Sequence, residues 1–342
     1  PGTFKDRLIL EGDPHAVLEG MAIAGYAVGA DQGWIYIRGE YEQAKKRLEQ
    51  AIEQAEEFGL LGDNILESGF SFHVHVHAGA GAYICGEETA LLESLEGKRG
   101  QPRIRPPYPT VAGYHQKPTV VNNVETLANV PPIIRNGADW YRSIGTERCP
   151  GTKVYTMLGD VNGTGLVEVP MGITLREVID IYGGGMKDEK AFKCAQTGGA
   201  SGSIIPAELL DTPMDFQSMR EAGAALGSGA LLVCGDDTCI VDLAYVLERF
   251  FVSESCGKCT PCRVGTVQML ESLERLRRGY GTQVDLDRLE QAATYAVEAS
   301  FCGLGQAAPV PILTGLRYFR AEFTAHTQGE CPTGVCPMDR KK

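Results

Sequence analysis

The sequence predicts an α/β protein in three parts. A layered α/β domain spans 1–150, a β-grasp-like module 151–235 and a four-helix bundle 236–326, followed by a cysteine-containing tail, 327–342. Three observations carry this prediction. Helix-period and strand-period segments alternate in the first part, a hairpin and one short helix open the second, and four helix-period segments fill the third. A chain of 342 residues is long enough for several cores.

In the first part, Ala16–Val28 reads as a helix of small and apolar residues and Trp34–Arg38 as a strand. Gln43–Phe58 is a charged amphipathic helix with a solvated face, and Phe72–His77 is a second strand. Strand, helix, strand implies a crossover unit and a mostly parallel sheet. In the second part, Lys153–Leu158 and Gly165–Pro170 alternate around Asp160-Val161-Asn162-Gly163, and a helix over Leu175–Tyr182 stops at Gly183-Gly184-Gly185. In the third, Val241–Phe251, Thr266–Arg278, Asp285–Ser300 and Leu313–Phe323 carry apolar residues at bundle spacing.

The net charge of -12, with no Lys/Arg-rich run, argues against a nucleic-acid partner. No apolar stretch approaches the ~18 residues of a membrane span, and no signal peptide is visible. Of the 11 cysteines, three fall in the short stretch 256–262; clustered thiols without an export signal read as metal ligands in a reducing cytoplasm. The chain starts inside the phrase Pro1-Gly-Thr-Phe-Lys-Asp-Arg7 rather than at a methionine, so its natural N-terminus is expected upstream.

Cys256-Gly-Lys-Cys259-Thr-Pro-Cys262 sets three thiolates at C-x2-C-x2-C spacing, which suits three corners of a [4Fe-4S] cubane. Cys302, in Phe301-Cys-Gly-Leu-Gly305, supplies a fourth where glycines allow close approach. The alternative is a structural zinc, whose thiolates usually come as two separated pairs. A second signal is Ala78-Gly-Ala-Gly-Ala-Tyr83-Ile-Cys85-Gly86-Glu87-Glu88-Thr89, between the second strand and a helix over Ala90–Leu95. Its small residues let a ligand reach backbone N–H groups and the positive helix end. It does not fit G-x-G-x-x-G, so a tight strand–helix turn is the alternative. The adjacent carboxylates Glu87 and Glu88 are harder to explain that way.

Taken together, these segments resemble the NADH-binding flavoprotein subunit shared by respiratory complex I, NAD(P)-linked multimeric hydrogenases and NAD-linked formate dehydrogenases. The resemblance covers essentially the whole chain, including Pro1–Arg7, Gly79–Leu95, Lys117–Thr126, Gln196–Gly202 and Glu254–Cys259. It implies an FMN domain, a β-grasp-like (SLBB) domain and a bundle with one [4Fe-4S] cluster. It also implies that Tyr83, Gly86 and Glu87 line FMN, with Asn122, Asn123 and Thr126 at the ribityl-phosphate end. Glu88 would face the adenosine side of NAD(H) or NADP(H), Arg105 and Tyr108 the adenine entrance, and Cys256, Cys259, Cys262 and Cys302 would bind the cluster. The Gly/Arg-rich FMN-phosphate loop and the acids near nicotinamide are expected upstream of Pro1. A ferredoxin-like tail, found in hydrogenase-type members, does not follow Cys331-Pro-Thr-Gly-Val-Cys336-Pro-Met-Asp-Arg-Lys-Lys342 within this sequence.

The function so implied is diaphorase-type oxidoreduction: hydride between NAD(P)H and FMN, then single electrons through the cluster to or from partners. Those partners are a thioredoxin-like [2Fe-2S] subunit and a terminal reductase, hydrogenase or dehydrogenase, and any membrane association would come through them. The rivals are an iron–sulfur relay or scaffold subunit that has lost nucleotide binding, and a scaffold with structural zinc. Three weaker signals remain. His73, His75 and His77 share a strand face by simple alternation, and Cys331 and Cys336 are either tail thiols or ligands of a zinc or second cluster. Cys85, Cys149, Cys194, Cys234 and Cys239 read as structural.

Overall fold

In a computed structural model that describes residues 2–338, the chain divides into two units, one running from Phe4 to Ser143 and the other comprising Thr3 with its neighbouring glycine and Ile144 onward. The motif's first residue, Pro1, and the last four of the tail lie outside the described residues.

The Phe4–Ser143 unit opens with helices α1 (Lys5–Gly12) and α2 (Pro14–Val28). Asp13 caps α2 by accepting from the Ala16 amide at 3.1 Å, and the helix stops at Gly29, whose φ of 73° suits a residue without a Cβ. Strand β1 (Gln32–Arg38), helix α3 (Glu42–Glu57) and strand β2 (His73–Gly79) follow. The strands pair in parallel from Gln32↔His73 to Arg38↔Gly79, as the strand–helix–strand pattern predicts. Between them α3 buries Ala44, Leu48, Ala51, Ile52 and Ala55 against Ile35, Ile37, Phe72 and Val74, and its charged side faces solvent. Helices α4 (Glu88–Leu95), α5 (Val124–Ala128) and α6 (Val130–Asn136) complete the elements used below.

In the other unit, strands β3 (Thr152–Gly159) and β4 (Gly165–Pro170) form the expected antiparallel hairpin. They belong to a five-stranded sheet of order β4-β3-β7-β5-β6, completed by β5 (Phe192–Thr197), β6 (Ile204–Pro206) and β7 (Ala230–Gly235). The last three strands are buried along most of both faces, so they lack the alternation by which a half-buried strand is read. One face, with Ala195, Ile205, Leu231 and Val233, packs with Val178 and Met214; the other, with Cys194, Ile204 and Cys234, joins the bundle core.

The bundle consists of α7 (Ile240–Glu254), α8 (Thr260–Arg277), α9 (Gln283–Ala299), the short α10 (Gly303–Ala307) and α11 (Val310–Thr327). Met269, Leu273, Leu289, Ala293 and Phe323 meet with no exposed surface. Helix α8 begins at Thr260 rather than at the expected Thr266. Its first turn holds Pro261 and Cys262 in place of apolar residues, and proline there forfeits only an amide the helix leaves unused.

Candidate functional site: a cysteine cradle and a strand-end loop

The bundle brings four cysteines to helix starts. Cys259 is the N-cap of α8, Cys262 lies in that helix's first turn, Cys302 is the N-cap of α10, and Cys256 precedes them in the turn after α7. Cys262 and Cys302 are buried; Cys256 and Cys259 are half-buried. Two contacts hold the loops together. The Lys258 ammonium sits 4.8 Å from the centre of the Phe301 ring, linking the C-x2-C-x2-C loop to the Cys302 loop. A Cβ on Gly305 would stand 2.8 Å from Cys262 Cβ and 2.5 Å from Ser300 Oγ, so this approach requires glycine.

Burial, reinforced by the charges of Cys259, Cys302 and Cys256, pushes the Cys262 thiol up to about 11. Four crowded thiols of this kind need a cation or cluster among them to be held as thiolates. Three thiolates in one C-x2-C-x2-C loop with a fourth from a separate loop suit a cubane, whereas structural zinc usually takes two separated pairs.

The second candidate lies beyond the carboxyl ends of β1 and β2, where parallel α/β sheets present ligand sites. Gly79 ends β2, and a Cβ on Gly39, just past β1, would come 2.6 Å from the Gly79 carbonyl. The two strand-end loops therefore run backbone against backbone. Tyr83 and Gly86 are exposed on the short turn before α4, and nothing lies within 4 Å of the point where a Gly86 Cβ would be. Such open space beside the backbone fits a flat ligand lying against the turn.

Glu87 is the N-cap of α4: its Oε2 accepts from the amides of Thr89 (3.0 Å) and Ala90 (2.9 Å). Arg105 then bridges both acids, at 2.6 Å from Glu88 Oε1 and 3.6 Å from Glu87 Oε1. Arg103 anchors this segment to α4, pairing with Glu93 and with Glu96 (2.7 Å) and donating to the Gly113 carbonyl (2.8 Å). Glu96 is 3% exposed. Burial disfavours its charge, but bonds from Lys98, Arg103 and the His115 amide outweigh that and hold its carboxyl down at about 2. Tyr108, at the end of the same segment, is exposed.

Asn122, Asn123 and Thr126 lie at the start of α5, the two asparagines exposed. Asn123 caps that helix through the Glu125 amide (2.9 Å); it also accepts from the Lys5 ammonium (3.1 Å) and donates to Asp6 (3.1 Å). Its bonds thus run to α1 rather than to Glu87, Glu88 or Arg105. Lys5, 4% exposed and 3.0 Å from Glu125, is a central residue that no motif reading singled out. In the sequence it stands only beside Asp6 in the Pro1–Arg7 phrase; Glu125 and Asn123 reach it through the fold.

The strand histidines find separate partners: His73 lies 3.3 Å from Asp63, His75 2.8 Å from Gln32, and His77 stacks on Tyr36. Cys85 is buried. The tail cysteines fare otherwise. Cys331 and Cys336 meet Cys239 and His326, their ligand atoms all within 4.8 Å. Nothing in the sequence around Cys239 marks it, whereas His326-x4-Cys331-x4-Cys336 was a legible spacing.

A glycine-rich strand-end loop in one unit and four cysteines gathered in a helical bundle in the other fit a class: an electron-transfer flavoprotein subunit. Comparison with known proteins makes this particular. Residues 1–132 match the Nuo51 FMN-binding domain, 154–205 the SLBB domain, and 242–326 the NADH-ubiquinone oxidoreductase-F iron-sulfur binding region. The chain is 51% identical over 334 residues to the NADP-reducing hydrogenase subunit HndC of Solidesulfovibrio fructosivorans, covering 97% of this chain and 68% of that protein. It is equally, 51%, identical to the second F-type subunit of the NADH-quinone oxidoreductase of Rhizobium meliloti (strain 1021), covering 97% and 79%. Among solved structures, the NAD+-reducing [NiFe]-hydrogenase in its H2-reduced state superposes with a TM-score of 0.87 at 39% identity over 96% of this chain, which spans 55% of the hydrogenase chain. The chain therefore belongs to the family of the F-type subunits of NADH-quinone oxidoreductases and their hydrogenase counterparts, with that family's FMN-binding domain, SLBB domain and [4Fe-4S] region. No helix among the described residues is long and apolar enough to cross a membrane.

Proposed function

We propose that this chain transfers a hydride between NAD(P)H and FMN and passes single electrons through a [4Fe-4S] cluster to or from partner subunits. The cluster's ligands are Cys256, Cys259, Cys262 and Cys302. The observation that carries the reading is their gathering around two helix starts, where Cys259, Cys302 and Cys256 all bear on the Cys262 thiol. Buried Cys262 and Cys302 keep water from that side of the cradle, and Lys258 on Phe301 keeps its two loops in register.

Tyr83, Gly86 and Glu87 would hold FMN at the strand ends, with Asn122, Asn123 and Thr126 toward its ribityl phosphate. Bound there, FMN supplies the conversion between two-electron hydride chemistry and one-electron iron–sulfur chemistry. The protein's own work is positional. Glu87 fixes the first turn of α4, Gly86 leaves room beside the backbone, and Arg103 holds the segment bearing Arg105 and Tyr108. Glu88 and Arg105, paired at 2.6 Å, would face the adenosine ribose. One acid and one base at that point suit discrimination between a 2′-hydroxyl and a 2′-phosphate. Relatives named for NADP and for NADH are equally similar, so this pair rather than overall likeness would set the preference.

Partners would be a thioredoxin-like [2Fe-2S] subunit and a terminal reductase, hydrogenase or dehydrogenase, in the cytoplasm or tethered to a membrane through them. The absorption spectrum of the purified complex tests the reading. Flavin bands over a broad cluster shoulder, both bleached by NADH or NADPH, are expected. A shoulder without flavin would make the chain a relay, and neither feature would refute redox chemistry altogether.

A further inference from the structure

From the contacts around Cys262 we infer a positioning residue for the electron route: Ser255 donates a hydrogen bond to the Cys262 thiolate and thereby raises the reduction potential of the cluster held there. The inference rests on the reading of Cys262 as a cluster ligand. Ser255 is the C-cap of α7, next to Cys256, and is half-buried. Its amide still donates to the Phe251 carbonyl at 3.0 Å, while its φ of -62° and ψ of 126° turn the chain out of the helix.

Ser255 Oγ lies 3.3 Å from Cys262 Sγ and accepts from the Gly257 amide, also at 3.3 Å. A thiolate has no proton to give, so toward an iron-bound Cys262 the hydroxyl is the donor, and the Gly257 N–H on its oxygen polarises it further. Gly257 is itself held in place. Its φ is 78°, which suits a residue without a Cβ, and Arg263 Nη1 donates to its carbonyl at 2.7 Å.

A bond to a charged acceptor strengthens with the acceptor's charge. One-electron reduction without proton uptake, fed from the flavin side or from a partner, places part of the added charge on the thiolate ligands. The Ser255 bond is therefore stronger in the reduced state and shifts the equilibrium toward it. A second hydroxyl fits the same cradle. Ser300 Oγ is buried with no hydrogen-bond partner among the described residues, and it lies across Gly305 from Cys262. A buried donor left unpaired is costly, and cluster sulfur would give it an acceptor.

Redox titration of the cluster-loaded protein, followed by the paramagnetic signal of the reduced cluster, tests this. Ser255→Ala should lower the one-electron reduction constant about tenfold, a fall of about 59 mV in midpoint potential. Ser255→Thr keeps the hydroxyl and should stay near the unaltered value. Ser253→Ala should not move it, because Ser253 Oγ donates to the Phe250 carbonyl at 2.7 Å rather than to sulfur. A merely structural role would lower cluster content and leave the midpoint of the remaining clusters where it was. An unmoved midpoint in Ser255→Ala overturns the inference, as does an equal fall in Ser255→Thr. Should Ser255→Ala hold no cluster, Ser255→Gly repeats the measurement; loss of the cluster from both would make Ser255 an assembly residue and overturn the inference too. A cluster absent from the unaltered protein would refute the proposed function itself, and this inference with it.

Discussion

Replacing Glu87 tests whether this acid acts on the flavin through the helix it caps. Its Oε2 accepts from the Thr89 and Ala90 amides at 3.0 and 2.9 Å, so Glu87→Ala leaves both donors open. Loss of an N-cap acceptor costs about 0.5–2 kcal/mol, and loss of a carboxylate at a helix N-terminus about 0.3–1 kcal/mol more. The first turn of α4 should therefore open roughly 5- to 150-fold more often, from a total of about 1–3 kcal/mol. Glu87→Gln keeps an acceptor oxygen without the charge and should lose only about 0.3–1 kcal/mol. Hydrogen exchange at Thr89, Ala90 and Leu91 measures the opening, and flavin content of the same samples should fall in the same order, Ala below Gln. If Glu87→Ala releases flavin while these amides stay as protected as before, the cap argument is wrong and Glu87 acts by touching the flavin.

Cys259→Ser should abolish the [4Fe-4S] signal of the reduced protein by paramagnetic resonance, and Cys149→Ser should leave it intact; a persisting signal in the first would remove Cys259 from the ligand set. Glu88→Gln should raise kcat/KM for NADPH relative to NADH, because Arg105 loses its 2.6 Å partner and can meet a 2′-phosphate. Arg105→Gln should move the ratio the other way, and a ratio unmoved by both would place the pair away from the ribose. Glu96, held at about 2 against an ordinary 4.5, contributes on the order of 3 kcal/mol that is present above pH ~4.5 and lost as pH falls through about 2. Both tryptophans, Trp34 and Trp140, lie in the Phe4–Ser143 unit, so urea unfolding followed by their fluorescence reports that unit. Glu96→Gln should lower its midpoint at pH 7 and progressively less toward pH 3, and an unchanged midpoint at pH 7 would show that the Arg103 anchor contributes nothing.

Local pattern alone determined a good deal of this protein. The spacing of Cys256, Cys259 and Cys262, the alternation in β1–β4 and the helical periods of the bundle are properties of neighbouring residues, and the strands and bundle helices form where they were read, α8 alone starting a turn and more early, at Thr260. Other features needed the tertiary structure. Strands β5, β6 and β7 are covered on both faces, which erases the two-residue alternation, so their pairing order emerges only once the helical bundle supplies the second cover. Glu87 and Glu88 were visible as neighbouring acids, but their division of labour, one on an amide cap and one on Arg105, depends on where the 103–113 segment is pinned. The Cys239 group is the clearest case. Its first and last members are 97 residues apart, and closing a loop of that length is cheap in entropy once α7 and α11 pack side by side. Sequence separation therefore says nothing about that approach, and only packing delivers a cysteine with no motif of its own to a histidine and two tail thiols.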